Sequence, residues 1–149
     1  MMKMKNFLTV ILLAVTFTFQ AQDDEKRDKI KALKTAYFTT ELSLNSEESA
    51  KFWPIYNAFD DKQFELRHKK MKSLANKLKK SIDTMTDKEA LVILNQMEDY
   101  DQELFENRKK LVSNLKPVIS AVKILKLKKA EDDFNRTLLK QYKGKGRKE

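Results

Sequence analysis

The chain holds a single histidine, His68, and no cysteine, which leaves little from which to build catalysis. One imidazole without a thiolate cannot make a zinc site, because such sites draw several ligands from Cys, His and carboxylate side chains. A Ser-His-Asp arrangement needs an exposed serine beside oxyanion donors commonly built with glycine turns. The two glycines, Gly144 and Gly146, both lie near the C-terminus. The same ground argues against Walker-type and Rossmann loops, which need glycine for close approach to phosphate. The carboxylate pairs Asp60-Asp61 and Asp132-Asp133 are sequence neighbours, so on a helix they point roughly 100° apart and do not converge for acid–base work. An oxygen-only calcium site stays open, although no EF-hand spacing is present. The inventory describes a binding protein rather than an enzyme, with no catalytic residues, metal or cofactor expected.

Helices must carry whatever binds. From Gln22 to Tyr142 there is no glycine, and glycine supplies the positive-φ turns that β-hairpins commonly use. An all-α chain of four helices with short capped loops is therefore expected. The first is predicted over about Glu25 to Glu41, with Ile30, Leu33 and Tyr37 on one inward face. The second opens at Asn45-Ser46-Glu47-Glu48, where Asn45 can cap the helix and Glu48 can reach back, and continues to about Ile82. Pro54 should kink or weaken it. Its apolar stripe migrates from Phe52, Ile55 and Phe59 to Met71, Leu74, Leu78 and Ile82, which predicts different partners at its two ends. The third opens at Thr86-Asp87-Lys88-Glu89, with Ala90, Ile93, Leu94, Met97, Leu104, Leu111 and Leu115 on its apolar face. Beyond Pro117 the fourth is predicted to start with Ser120 as its cap and to run to about Tyr142. Ile124, Leu127, Ala130, Phe134 and Leu138 face inward there.

Charge predicts an antiparallel pairing of the second and third helices. A turn near Thr84 sets Lys70 beside Glu98, Arg67 beside Asp101 and Lys62 beside Glu106. Exposed pairs of this kind fix register more than stability.

Residues 1–21 read as an export signal. Lys3 and Lys5 precede Phe7 to Phe19, an uncharged, mostly apolar run too short for the roughly 20 apolar residues of a bilayer span. Cleavage after Ala21 would remove two lysines and no acids, taking the net charge from +9 to +7, and would deliver a periplasmic protein. Without cysteine there is no disulfide framework, so the core must come from apolar burial or from a second copy of the chain. Residues 22–142 are expected to form one helical domain, and residues 143–149 a disordered basic tail.

Two surface features bear on binding. Phe52, Tyr56 and Phe59 share a helix face, with Trp53 turned about 100° away; the cluster is either core packing or a surface for apolar client segments. The lysine runs Lys77-Leu78-Lys79-Lys80 and Lys126-Leu127-Lys128-Lys129 lack interleaved aromatics. They read as solvated faces of amphipathic helices rather than as a nucleic-acid site.

With these motifs placed, the chain resembles the Spy/CpxP family of periplasmic helical proteins, whose signature is a twice-occurring Leu-Thr-x-x-Gln. Leu44-Asn45-Ser46-Glu47-Glu48 corresponds to the first copy, with capping chemistry kept by Asn45 and Glu48. Ile119-Ser120-Ala121-Val122-Lys123 corresponds to the second, where Ser120 can cap but Lys123 departs from the pattern. Lys51-Phe52-Trp53-Pro54-Ile55-Tyr56 and Glu131-Asp132-Asp133-Phe134 look like the Bacteroidetes branch often labelled sensors of ECF-type sigma factors. The resemblance covers roughly Ile30 to Tyr142. It implies a four-helix protomer with long antiparallel helices that dimerises into a thin curved cradle. It further implies ATP-independent, chaperone-like holding of unfolded or membrane-associated clients during envelope stress. A signalling accessory that binds one membrane partner is the alternative. No nucleic-acid partner is expected.

Overall fold

The computed structural model describes residues 2–145, with side chains from Gln22 onward, Tyr142 excepted. Among the described residues the chain is all-α: α1 (Met2–Glu41), α2 (Ser46–Phe64), a π-helical segment (Glu65–Met71), α3 (Lys72–Ser81), α4 (Asp87–Leu115) and α5 (Ala121–Lys145). α2, the π segment and α3 run on without interruption, so the helices number four and no strand is present among the described residues. The expected export segment supplies the N-terminal half of the α1 backbone, which begins well before the predicted Glu25; its side chains lie outside the described residues. No described helix is long and apolar enough to cross a membrane.

The helix starts are where capping chemistry puts them. Asn45 and Glu48 form a reciprocal capping box at α2, as do Thr86 and Glu89 at α4, and each satisfies donors that have no partner within the helix. Ser120 Oγ accepts the Lys123 N–H, 3.3 Å away, at the start of α5. With no glycine to hand, the turn after α1 places Ser43 at φ 50°, a left-handed conformation that costs an ordinary residue roughly 1–2 kcal/mol. α5 continues to Lys145, three residues into the stretch expected to be a disordered tail. Lys143 and Lys145 in its last turn complement the negative end of the helix dipole. Residues 146–149 lie outside the described residues.

The chain divides into two compact units. One comprises the chain up to Ser43 and from Leu127 onward, the other Leu44–Lys126. In the first, Phe38 meets Phe134 edge-on at 6.0 Å and Tyr37 meets it at 5.9 Å. Leu127, Ala130 and Phe134 recur at helical spacing on the buried face of α5. The inward face of α1 is not the one expected. Phe38 and Leu42 are fully buried, Ile30 and Tyr37 are half-buried, and Leu33 is 58% exposed. The aromatic pairing with Phe134 turns the helix so that Leu33 points outward.

In the second unit α2 and its continuation lie antiparallel to α4. Asn107 Nδ2 donates to the Phe59 carbonyl (3.2 Å) and to Gln63 Oε1 (3.1 Å), and the Arg108 guanidinium sits 4.5 Å above the Phe59 ring. The expected register holds to within about a turn, but the ion pairs differ. Glu103 takes both Lys70, at 2.6 Å, and Lys62, at 4.0 Å, in place of Glu98 and Glu106. Long lysine side chains reach along the helix axis, so one carboxylate nearer the seam captures both. On α4, Ile93, Tyr100, Leu111 and Leu115 are buried, whereas Leu94, expected inward, is 54% exposed. Tyr100 fills the middle of the buried face.

The π segment corrects the reading of a migrating stripe. At roughly 100° per residue, Leu66 and Leu74 would stand about 80° apart on an uninterrupted α-helix. An i→i+5 ring takes one more residue per turn, and that lag across Glu65–Met71 brings them back to one face. Burial agrees: Phe52, Tyr56, Phe59, Leu66 and Leu74 are all buried, and Met71 and Leu78 half-buried. Ile82, just past the helix end, is 58% exposed. The helix keeps one buried face along its length instead of turning to a second partner. Pro54 stands inside α2 without interrupting it, so the break from α geometry falls a full three turns later.

Candidate functional site

The two capping motifs are joined in space. At the first, the Asn45 side-chain oxygen accepts the Glu48 N–H (2.8 Å) while Glu48 Oε1 accepts the Asn45 N–H (3.2 Å). The same Oε1 accepts from Lys123 Nζ at 2.7 Å, and Lys123 is the last residue of the second motif. Leu44 is half-buried beside the cap and Ile119 is buried before Ser120. The Glu48 and Lys123 side chains are 18% and 24% exposed, so this pair is better shielded than Lys129–Asp133, whose lysine is 77% exposed. Lys123 therefore has a structural job, namely to tie the start of α5 to the start of α2. Opposite charges at the fifth position of both motifs are the signal that could have revealed it.

This tie makes a prediction about acid. The Lys123 hydrogen bond, and after it the Asn45 N–H, hold the Glu48 carboxyl below its ordinary 4.5; Lys70 does the same for Glu103. A carboxyl lowered in the folded state contributes stability that is complete above the unfolded value and is lost as pH falls through the folded one. The melting temperature is expected to be level between about pH 7 and 5 and to fall below about 4.5. In Lys123→Met the fall should be shallower. Circular-dichroism melts across that range test it, and an unchanged pH profile in the variant would dismiss the tie.

The aromatic cluster resolves into two parts. Phe52 and Tyr56 stack at 5.5 Å with rings 7° from parallel, and Tyr56 meets Phe59 at 5.7 Å; all three are buried. Trp53 stands edge-on to Phe52 at 4.9 Å and to Tyr56 at 5.9 Å and is half-buried. Three rings are core, and the indole alone reaches the surface.

Between α2 and α4 runs an open cleft of about 730 Å³, with Ile55, Phe59 and Leu111 at its apolar side and Lys62, Glu106 and Lys110 at its rim. It contains neither histidine nor a convergent acid pair, since Glu103 is engaged by two lysines. His68 lies in the π segment with its ring 4.3 Å from that of Phe64. Among the described residues no three His, Cys, Asp or Glu side chains gather where they could hold a metal ion.

α4 carries a second apolar surface. On α4, Leu91, Leu94 and Phe105 are 60%, 54% and 63% exposed. Their spacing puts them on one face, roughly opposite Ile93, Tyr100 and Leu111. α4 is thus apolar on two sides, and a single-stripe reading of the sequence merges them. Comparison of the chain with protein-family models, with curated proteins and with solved structures finds no match.

Proposed function

We propose that the chain is an exported, non-enzymatic binding protein that holds unfolded or aggregation-prone clients without ATP, in the manner of the Spy/CpxP proteins its capping motifs resemble. The observation that carries this reading is the outward face of α4. Leu91, Leu94 and Phe105 are large, exposed and interspersed with the charged residues Glu98, Asp101 and Lys109. Exposed apolar side chains grouped on one face mark sites of interaction, and the flanking charges keep contacts weak and reversible. Packing against a second copy would cover part of that face, consistent with a homodimer.

The test is suppression of client aggregation, followed by light scattering, at near-equal molar ratio and without nucleotide. The combined variant Leu91→Ser, Leu94→Ser, Phe105→Ser should hold clients more than about tenfold more weakly, given the apolar area removed, while its melting temperature stays level. No suppression of several unrelated clients would sink the proposal. Saturable capture of one membrane protein would instead favour a signalling accessory.

A further inference from the structure

The stretch from Leu66 to Ile82 contains Arg67, six lysines and His68, and no acidic residue. The π segment turns Leu66, Met71, Leu74 and Leu78 together toward buried positions, which leaves all seven cations exposed. Among the described residues only Lys70 of the seven meets a carboxylate, Glu103 on α4. Glu65 lies before the stretch beside Lys62, and Asp83 follows it. What faces solvent is an acid-free cationic ridge about 25 Å long at roughly 1.5 Å per residue, ending in the exposed Ile82.

The chemistry of the ridge narrows its partner. Six of its seven cations are lysines, compact point charges without the planar fork that reads a phosphate bidentately. No Phe, Tyr or Trp lies between Leu66 and Ile82, and one imidazole, set against Phe64, makes no run of platforms for stacking successive nucleic-acid bases. A discrete acidic protein would need a central apolar anchor, and apart from Ile82 at its very end the large apolar residues of the ridge are turned inward. Point charges spread over the exposed side of one helix instead complement an extended, mobile array of phosphates, to which each lysine adds attraction within a Debye length. We propose that the 66–82 ridge adsorbs to membranes through anionic phospholipid headgroups, Ile82 making a shallow apolar contact. This is independent of the client-holding reading, which rests on α4.

Co-sedimentation of the full chain with phosphatidylcholine vesicles, with and without phosphatidylglycerol, tests the proposal. Binding is expected only to the anionic vesicles, and it should weaken steeply as salt rises from about 50 to 300 mM. The variant carrying Lys69→Gln, Lys72→Gln, Lys77→Gln, Lys79→Gln and Lys80→Gln should bind more than about tenfold more weakly. A charge-matched variant with Gln at Lys88, Lys110, Lys116, Lys126 and Lys128 should retain most of the binding. Absence of binding, equal binding to neutral vesicles, or equal loss in the two variants would overturn it. So would displacement from the vesicles by an equal charge of polyglutamate, which would identify an acidic polypeptide as the better ligand. The salt dependence of the unmodified chain needs no variant to fold.

Discussion

Phe52→Ala is expected to cost about 3–5 kcal/mol, the range for emptying a fully buried phenylalanine site. Phe52 is 0% exposed, stacked on Tyr56 and edge-on to Trp53. Its removal therefore strips two ring contacts as well as the transfer energy of the side chain. Against a typical total of about 5–15 kcal/mol for a domain, the loss should appear as a much earlier urea transition at unchanged slope. Trp53→Ala makes the contrast. The indole is half-buried, so its removal should cost clearly less than the Phe52 change. If the two substitutions destabilise equally, the division of the cluster into core rings and a surface indole is wrong.

That division shows how far a sequence carries. Helical spacing alone separated Trp53 from Phe52, Tyr56 and Phe59, because a shared face depends only on the angle per residue. Capping is similarly local: Asn45 with Glu48 and Thr86 with Glu89 sit within one turn, so their chemistry is written in adjacent letters. Antiparallel register was legible because an acid-free basic stretch and an acid-rich one lie on either side of one turn. Which acid is used was not, since Glu103, Glu98 and Glu106 differ only in their position against the seam. The Lys123–Glu48 tie spans a separation of 75 residues, a distance at which spacing carries no information. Leu33 and Leu94 were misplaced for a related reason. Where apolar residues occur on more than one side of a helix, periodicity cannot say which side meets the rest of the fold.

The same limit separates surface from core in the functional reading. Leu91 and Phe105 are as apolar as Ile93 and Leu111, and only burial distinguishes them. Once distinguished, α4 presents a buried inner face and an outer face whose Leu91, Leu94 and Phe105 are exposed. The cationic ridge arises by the same sorting, because turning the leucines inward leaves lysines, Arg67 and uncharged residues outside, with no acid among them.

The π segment permits the sharpest test, because it gives insertion and deletion opposite consequences. Inserting one alanine between Lys69 and Lys70 adds roughly 100° of rotation to everything downstream, carrying Leu74 out of its buried site and Leu78 and Met71 with it. Exposing a buried leucine costs about 1.5–3 kcal/mol, so with its two half-buried neighbours the total should reach about 3–5 kcal/mol. Deleting Lys69 removes one residue from a stretch that holds one too many for α geometry. The deletion lets the segment close into ordinary i→i+4 rings with Phe59, Leu66 and the residues at and beyond Leu74 still on one face. It should change stability by less than about 1 kcal/mol, since an exposed lysine is lost and the commoner hydrogen-bond geometry is gained. Urea unfolding of both variants beside the parent chain decides the matter. A deletion as damaging as the insertion would mean that the π segment does not set the phase of the buried face, and that the alignment of Leu66 with Leu74 has another cause.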